Sequence, residues 1–203
     1  MFIGLVGKSC SGKNYVGQLL QDKGYEVWDL DKLCHEALLL EENVRAVVKA
    51  FGPQVLASGV VSRKALSQII FENPAKRTDL ENILYPWLIK KVISNEAFGT
   101  FVPVIFLNGA LLRRAGLDAY CHFIVYVDAP YEDRLKRAIS RDGIVPQAFE
   151  KREAAQEDVD FRENKYKAPI LVINNANGTK DLELIRQINI ICDRINADIQ
   201  QGE

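Results

Sequence analysis

The residues whose spacing suggests chemistry stand near the start of the chain: Gly7, Lys8, Ser9, Cys10, Ser11, Gly12, Lys13 and Asn14. They follow the outline G-x-x-x-x-G-K-[ST], with an amide where a hydroxyl is expected. A loop of this kind grips phosphate with its backbone. Successive N–H groups converge on an anion, and the following helix adds the positive end of its dipole. Gly7 and Gly12 permit the bends, and Lys13 offers a mobile point charge to the β- and γ-phosphates of a nucleotide. The motif carries weight only between a strand and a helix. "FIGLV" precedes it and "NYVGQLL" follows it, so the context agrees. Asn14 is the odd member. A Ser or Thr there would turn its oxygen to Mg²⁺. An amide oxygen is also a hard neutral ligand, so direct or water-mediated metal contact stays open, on a side chain one atom longer. The expectation is a nucleotide site with weaker or altered metal dependence.

Two carboxylates follow in "VWDLDKLCHE", Asp29 and Asp31, at the carboxyl end of the second predicted strand. Ligands of open α/β sheets bind at that edge. Strand alternation aims both side chains the same way. One could act as base toward a substrate hydroxyl while the other holds metal-bound waters. The competing reading is a strand end followed by a helix cap, since Asp caps helices well. Farther on, Arg134, Arg137 and Arg141 share one side of a predicted helix, and Arg152, Arg162 and Lys165 follow in a charged stretch. Arginines that close over a transferring phosphoryl group stabilise its spread charge. Glu and Asp are interleaved among them, so Arg134, Lys136 and Arg152 read as a solvated face.

Elements able to hold such groups alternate along the chain. Apolar runs at Phe2–Val6, Tyr25–Trp28, Val102–Leu107, Phe123–Val127 and Ile170–Ile173 read as buried parallel strands joined by right-handed crossovers. The first helix should open at Gly12-Lys13 and stop near Gly24. Residues 31–98 contain no good strand and read as a helical insertion, with Ser62 and Asn73-Pro74 as helix starts. Gly143 should stop the helix that begins after "DAP". "VPQAFEKREAAQEDVDFRENKYK" reads as one long charged helical stretch, and the last helix, from about Asp181, carries Leu182, Ile185, Ile188, Cys192 and Ile195 as a core stripe.

Bulk numbers narrow the function classes. The chain has 203 residues, 48% hydrophobic and 26% charged, enough for one domain with an insertion. Its net charge of −1 argues against binding nucleic acid by bulk electrostatics. Cys10, Cys34, Cys121 and Cys192 are widely spaced, beside only 2 histidines, which speaks against zinc and against a disulfide framework. No run of about 18 apolar residues suggests a membrane span, and no secretory signal opens the sequence. The expectation is a cytoplasmic protein without membrane or nucleic-acid partners.

With these residues in view, the chain resembles the dephospho-coenzyme A kinases over nearly its full length. "IGLVGKSCSGK" is similar to that family's opening loop and "VWDLDKLCHE" to its D-x-D segment. "FGPQVLASGVVSRKALSQIIFENPAKRTDLENILYPWLIKKV" resembles its substrate-side helices. "VYVDAPYEDRLKRAISRDGI" with "REAAQ" resembles its lid, and "VINNANG" the turn before its last helix. The resemblance implies an α/β fold. It would have a P-loop NTPase-like core with a parallel five-stranded sheet flanked by helices, a helical substrate domain and a helical lid. The core would span 1–30 and 99–203, the lid about 142–168, and the CoA-side insertion 31–98. The implied reaction moves the ATP γ-phosphate to the ribose 3′-hydroxyl of dephospho-CoA, giving coenzyme A and ADP. ATP would lie on Gly7, Ser9, Cys10, Ser11, Gly12, Lys13, Asn14 and Tyr15, with Arg141, Asn175 and Gly178 toward the nucleotide and Mg²⁺ at Asn14. Asp31, Lys13 and Arg137 would be catalytic, with Asp31 the base. Asp29, Asp31, Tyr85 and Arg162 would meet the acceptor.

Some positions differ from the family pattern. Lys8 and Cys10 stand where glycines are usual, Asn14-Tyr15 where Ser-Thr is usual, and Tyr85-Pro86 where His-Pro is usual. "NGALLRRAG" replaces a segment close to "PLLFEAG", so Arg114 stands for an acidic residue. Two other functions stay open from the sequence. One is a different small-molecule or nucleoside monophosphate kinase on the same core. The other is a nucleotide-binding protein with impaired catalysis.

Overall fold

The fold is known from a computed structural model, which describes residues 1–94, 104–163, 166–176 and 181–202. Five strands make the main sheet: β1 (Phe2–Val6), β2 (Glu26–Asp29), β5 (Ile105–Asn108), β6 (Cys121–Asp128) and β7 (Ile170–Asn174), in the spatial order β2-β5-β1-β6-β7. β1 runs parallel to β5 on one side and to β6 on the other, and β6 runs parallel to β7. All four residues of β5 are buried, as are Ile3–Val6 of β1. That burial explains why the strands read as unbroken apolar runs and not as alternation.

The chain divides into two compact units. One is Met1–Trp28 with Val102–Glu203, the other Asp29–Phe101. In the first, α1 (Lys13–Asp22) and α8 (Asp181–Gly202) cover the sheet. Val16 and Leu20 of α1 join Leu184, Ile188, Ile191 and Ile195 of α8 around Ile3, Leu5, Phe106 and Phe123. The α8 stripe thus differs from the sequence expectation. Leu182 is 77% exposed and Leu184 is buried in its place. Two residues are about 200° apart on a helix, so the two leucines cannot share a face.

After β6 comes α6 (Tyr131–Asp142), closed as expected by Gly143 at φ 63°, whose N–H returns to Ile139 O at 3.0 Å. The charged stretch beyond is not one helix. α7 (Pro146–Ala154) ends early, and two short 3₁₀ turns follow at Glu157–Val159 and Phe161–Glu163. Phe149 and Val159 are fully buried and anchor this folded-back segment.

The second unit holds α2 (Leu30–Ala37), α3 (Glu41–Phe51), α4 (Arg63–Glu72) and α5 (Pro74–Ser94). Its core gathers Ala37, Val47, Phe51, Val55, Leu66, Leu80 and Leu84. Ser62 caps α4 by accepting from Ala65 N at 3.3 Å. Asn73 Oδ1 accepts from Ala75 N at 3.0 Å and Lys76 N at 3.2 Å where Pro74 opens α5. The unit is not wholly helical. β3 (Leu56–Ala57) and β4 (Val60–Val61) form a small antiparallel hairpin. Ser58 at φ 51° and Gly59 at φ 83° make its two-residue turn, whose paired positive φ values match the twist of a hairpin. Among the described residues no helix is long and apolar enough to cross a membrane.

Candidate active site

β1 ends in the middle of its sheet, and the loop from Gly7 to Gly12 leads from it into α1. Gly12 sits at φ 95°, in the left-handed region, as the residue before the first helical turn. A Cβ there would lie 2.1 Å from Asn175 Nδ2, so glycine is required by space as well as by backbone angle. A Cβ on Gly7 would meet Val127 O at 2.6 Å and Ser11 Oγ at 2.5 Å. Ser11 Oγ is itself buried with no hydrogen-bond partner among the described residues. Cys10 takes φ 60°, unusual without glycine. The first turn of α1 leaves its N–H groups without intrahelical partners, which is the feature that draws anions to helix starts.

The loop is held from behind by a network the motif does not reveal. Arg137 donates to Cys10 O and Ser11 O, each at 3.3 Å, and to Asn175 O at 2.7 Å. Asn175 Nδ2 donates to Ser11 O at 2.7 Å, and its backbone N–H to Asp128 O at 2.8 Å. Gln156, in the segment after α7, accepts from Ser9 N at 2.8 Å. Arg134 donates to Ser9 O at 3.3 Å and Ala129 O at 3.0 Å, and it forms a two-pronged pair with Glu153. It is 5% exposed, so it is no part of a solvated helix face as the interleaved acids suggested. Lys8 joins the same network through Asp160 at 3.1 Å and Glu153 at 3.8 Å. Burial pushes the Asp160 carboxyl up, but the Arg162 N–H and the Lys8 ammonium outweigh it and hold its pKa below the ordinary value.

In front of the loop stands a cluster of amides. Lys13 Nζ donates to Asn108 Oδ1 at 2.6 Å and to Asn14 Oδ1 at 3.0 Å. Asn108 Nδ2 reaches Asn14 Oδ1 at 3.4 Å. Asn108 ends β5, pairs in register with Leu5 of β1, and is 6% exposed. Sequence reasoning missed it. The signal was available, since a polar residue closing an apolar strand at the carboxyl edge of a sheet marks the place where ligands bind.

The remaining expected residues are distributed as follows. Tyr15 is exposed on α1. Arg141 is exposed and paired with Asp142 at 2.7 Å. With Cys10, Gly12, Lys136, Arg137 and Ser140 it lines an open pocket of about 480 Å³. Arg162 is bound to Asp128 at 2.7 Å and Asp160 at 3.2 Å. In the second unit, Asp29 caps α2, accepting from Lys32 N at 3.0 Å, and Asp31 lies exposed in the first turn of that helix. Tyr85 is half-buried in α5, one residue before Pro86. Gly178 lies outside the described residues.

At the place expected to meet Mg²⁺, Asn14 offers a neutral amide oxygen. A hard cation wants oxygens free to turn toward it, commonly a hydroxyl from the loop and a carboxylate from the neighbouring strand. Both positions here are neutral amides whose oxygens already accept from the Lys13 ammonium. Among the described residues no group of three or more His, Cys, Asp and Glu could hold a metal ion.

A phosphate loop on the central strand of a parallel sheet, with its lysine opening the first helix, defines a P-loop kinase core. A dephospho-CoA kinase family model matches residues 1–181. The dephospho-CoA kinase of Thermus thermophilus is 32% identical over 183 residues, covering 90% of this chain and 87% of that protein. That of Fusobacterium nucleatum is 32% identical over 196 residues, covering 96% and 98%. A solved structure from Thermus thermophilus superimposes with a TM-score of 0.78 at 28% identity, covering 98% and 97% of the two chains. The dephospho-CoA kinase of Campylobacter jejuni shares the fold at a TM-score of 0.59 and 21% identity. This chain belongs to the dephospho-CoA kinase family.

Proposed function

We propose that the protein phosphorylates the ribose 3′-hydroxyl of dephospho-CoA with ATP. The observation that carries the reading is the loop from Gly7 to Asn14, shaped for a polyphosphate, in a chain of this family. Phosphoryl transfer asks little covalent chemistry of a protein. It asks for position and for positive charge where negative charge accumulates. The amides at the start of α1 and the Lys13 ammonium supply that charge to the β- and γ-phosphates. Arg137, which grips three carbonyls around the loop, keeps those amides convergent; its role is positioning. Asp31 takes the proton of the 3′-hydroxyl as that oxygen bonds to the γ-phosphorus. The bond from that phosphorus to the β-bridging oxygen breaks, and ADP leaves. Arg141 and the Asn175 turn lie toward the nucleoside end of ATP, and Tyr85 and Arg162 serve the acceptor. Residues 142–168 act as the lid. Mg²⁺, the usual companion of ATP, would neutralise phosphate charge when present.

The test is to incubate the protein with ATP and, in parallel, dephospho-CoA, nucleoside monophosphates or no acceptor, and to measure ADP. ADP formation that needs dephospho-CoA and falls by at least about a hundredfold in Asp31→Asn is expected. Turnover on another acceptor, or equal turnover in Asp31→Asn, contradicts the assignment.

A further inference from the structure

A trans peptide points its C=O and its N–H in opposite directions, so a partner that fixes one end fixes the other. In the peptide joining Lys8 to Ser9, the N–H donates to Gln156 Oε1 at 2.8 Å and the C=O accepts from Ser11 N at 3.1 Å. In the next peptide Arg134 holds the Ser9 C=O at 3.3 Å, which turns the Cys10 N–H the other way. In the peptide joining Ser11 to Gly12, Arg137 and Asn175 hold the C=O at 3.3 and 2.7 Å, which turns the Gly12 N–H away from them. The N–H groups thus alternate. Those of Ser9 and Ser11 are spent within the protein, while those of Cys10 and Gly12 face away from the side chains that grip the loop. We infer that Gln156 is a positioning residue for the polyphosphate, an assignment that rests on the kinase reading above. By fixing the Lys8–Ser9 peptide it keeps the Cys10 and Gly12 N–H groups turned to the anion.

The loop needs that hold because Cys10 sits at φ 60°. A residue other than glycine stays there only while its surroundings over-determine it. Turning the Ser9–Cys10 peptide would relieve the strain, and with it the Cys10 N–H would swing out of line. Ser9 resists because it is gripped at both its N–H and its C=O. Without Gln156 only the longer bond to Arg134 is left on Ser9. Gln156 is in turn held from both sides. Its own N–H donates to Glu153 O at 2.9 Å, and its C=O accepts from Val159 N at 3.1 Å, beside a side chain that is fully buried. Lys8 ties the same segment to the loop through Asp160 at 3.1 Å and Glu153 at 3.8 Å. The residue type also fits the task. A carboxylate at position 156 would accept from Ser9 equally well but would set a negative charge near the polyphosphate, whereas an amide oxygen accepts without that repulsion.

The experiment is calorimetric titration of the unmodified protein, Gln156→Met and Gln156→Asn with ATP and, separately, with inorganic tripolyphosphate. Met has nearly the same length without the amide oxygen, and Asn keeps the amide one carbon too short to reach. Both variants bind both ligands about three- to tenfold more weakly, the size of one lost hydrogen bond read as a smaller population of the gripping loop. The factor is the same for the two ligands within about twofold, because the loop meets only the phosphates. Affinity for tripolyphosphate unchanged within about twofold in a folded Gln156→Met protein overturns the inference. So does a loss confined to ATP, which would place the effect at the nucleoside end. If neither variant folds, hydrogen exchange of the Ser9 amide in the unmodified protein decides. Exchange slowed by at least about tenfold supports the contact, and exchange at the rate of an open amide overturns it. Polyphosphate binding that depends on Gln156, without turnover on dephospho-CoA, supports the inference while failing the functional reading. No binding of either ligand to the unmodified protein overturns both.

Discussion

Removing Glu153 tests whether the clamp behind the loop holds it in shape. Arg134 has 6% of its side chain exposed and Glu153 has 16%, and the pair is two-pronged. Truncation to Ala leaves the guanidinium buried with two backbone carbonyls and, as counter-charge, only the Asp128 carboxylate beyond ion-pair contact. Breaking one partner of a buried pair costs about 3–5 kcal/mol. Glu153 is partly wet, which argues for the lower end, about 3 kcal/mol. In a chain of this size that corresponds to a fall in melting temperature of about 6–12 °C. Calorimetry of Glu153→Ala measures it. The double variant Arg134→Met with Glu153→Met removes both charges, so it recovers a large part of the loss, with a coupling of about 2 kcal/mol. The recovery is incomplete, because the carbonyls of Ser9 and Ala129 lose their donor. A single variant that melts within about 2 °C of the unmodified protein would refute the reasoning. So would a double variant whose loss equals the sum of the two singles.

Three further outcomes follow from the same geometry. Gly12→Ala forces a side chain into Asn175 and into a left-handed backbone, so ATP affinity drops by at least about tenfold, read by titration. The depressed pKa of Asp160 means that its contribution to stability is present above the ordinary carboxylate range near pH 4 and is lost as pH falls through the lower, folded value. The part of the acid-side fall in melting temperature due to this group, about 1 kcal/mol or less because the pair is partly exposed, should vanish in Asp160→Asn. Leu84→Ala, in the core of the second unit, costs about 2–5 kcal/mol by chemical denaturation while leaving ATP affinity at the loop within about twofold.

Much of this architecture was readable from local patterns. β1 lies where the apolar run predicted it, because both faces of a central strand are covered and nothing interrupts the run. Ser62, Asn73 and Gly143 punctuate helices through contacts within three or four residues, so their roles sit in the local sequence. The losses share a cause. Arg134 looked solvated because its partner is Glu153, 19 residues away, and no periodicity announces such a pair. α7 stops where Gln156 reaches the loop, a contact across 147 residues. The hairpin at Leu56–Val61 is built from two-residue strands, too short to alternate visibly, and turns on Ser58 in a conformation that Ser rarely takes. At the candidate site, the glycines and Lys13 are visible as a motif, while Asn108 shows in the sequence as a lone polar residue closing an apolar run, and its weight comes from β5 lying beside β1.

That placement of β1 also has a consequence during synthesis. Its hydrogen-bonding partners are Ile105–Asn108 on one side and Cys121–Tyr126 on the other. At ribosomal rates of about 5–20 residues per second, Phe2–Val6 leaves the ribosome roughly 5–20 s before either neighbour exists. For that interval a sticky five-residue segment has no native edge to join, and the polyphosphate grip cannot form. Sheet closure is then a long-range event of the kind that slows folding, and the newborn chain's exposure to aggregation is concentrated at its first strand.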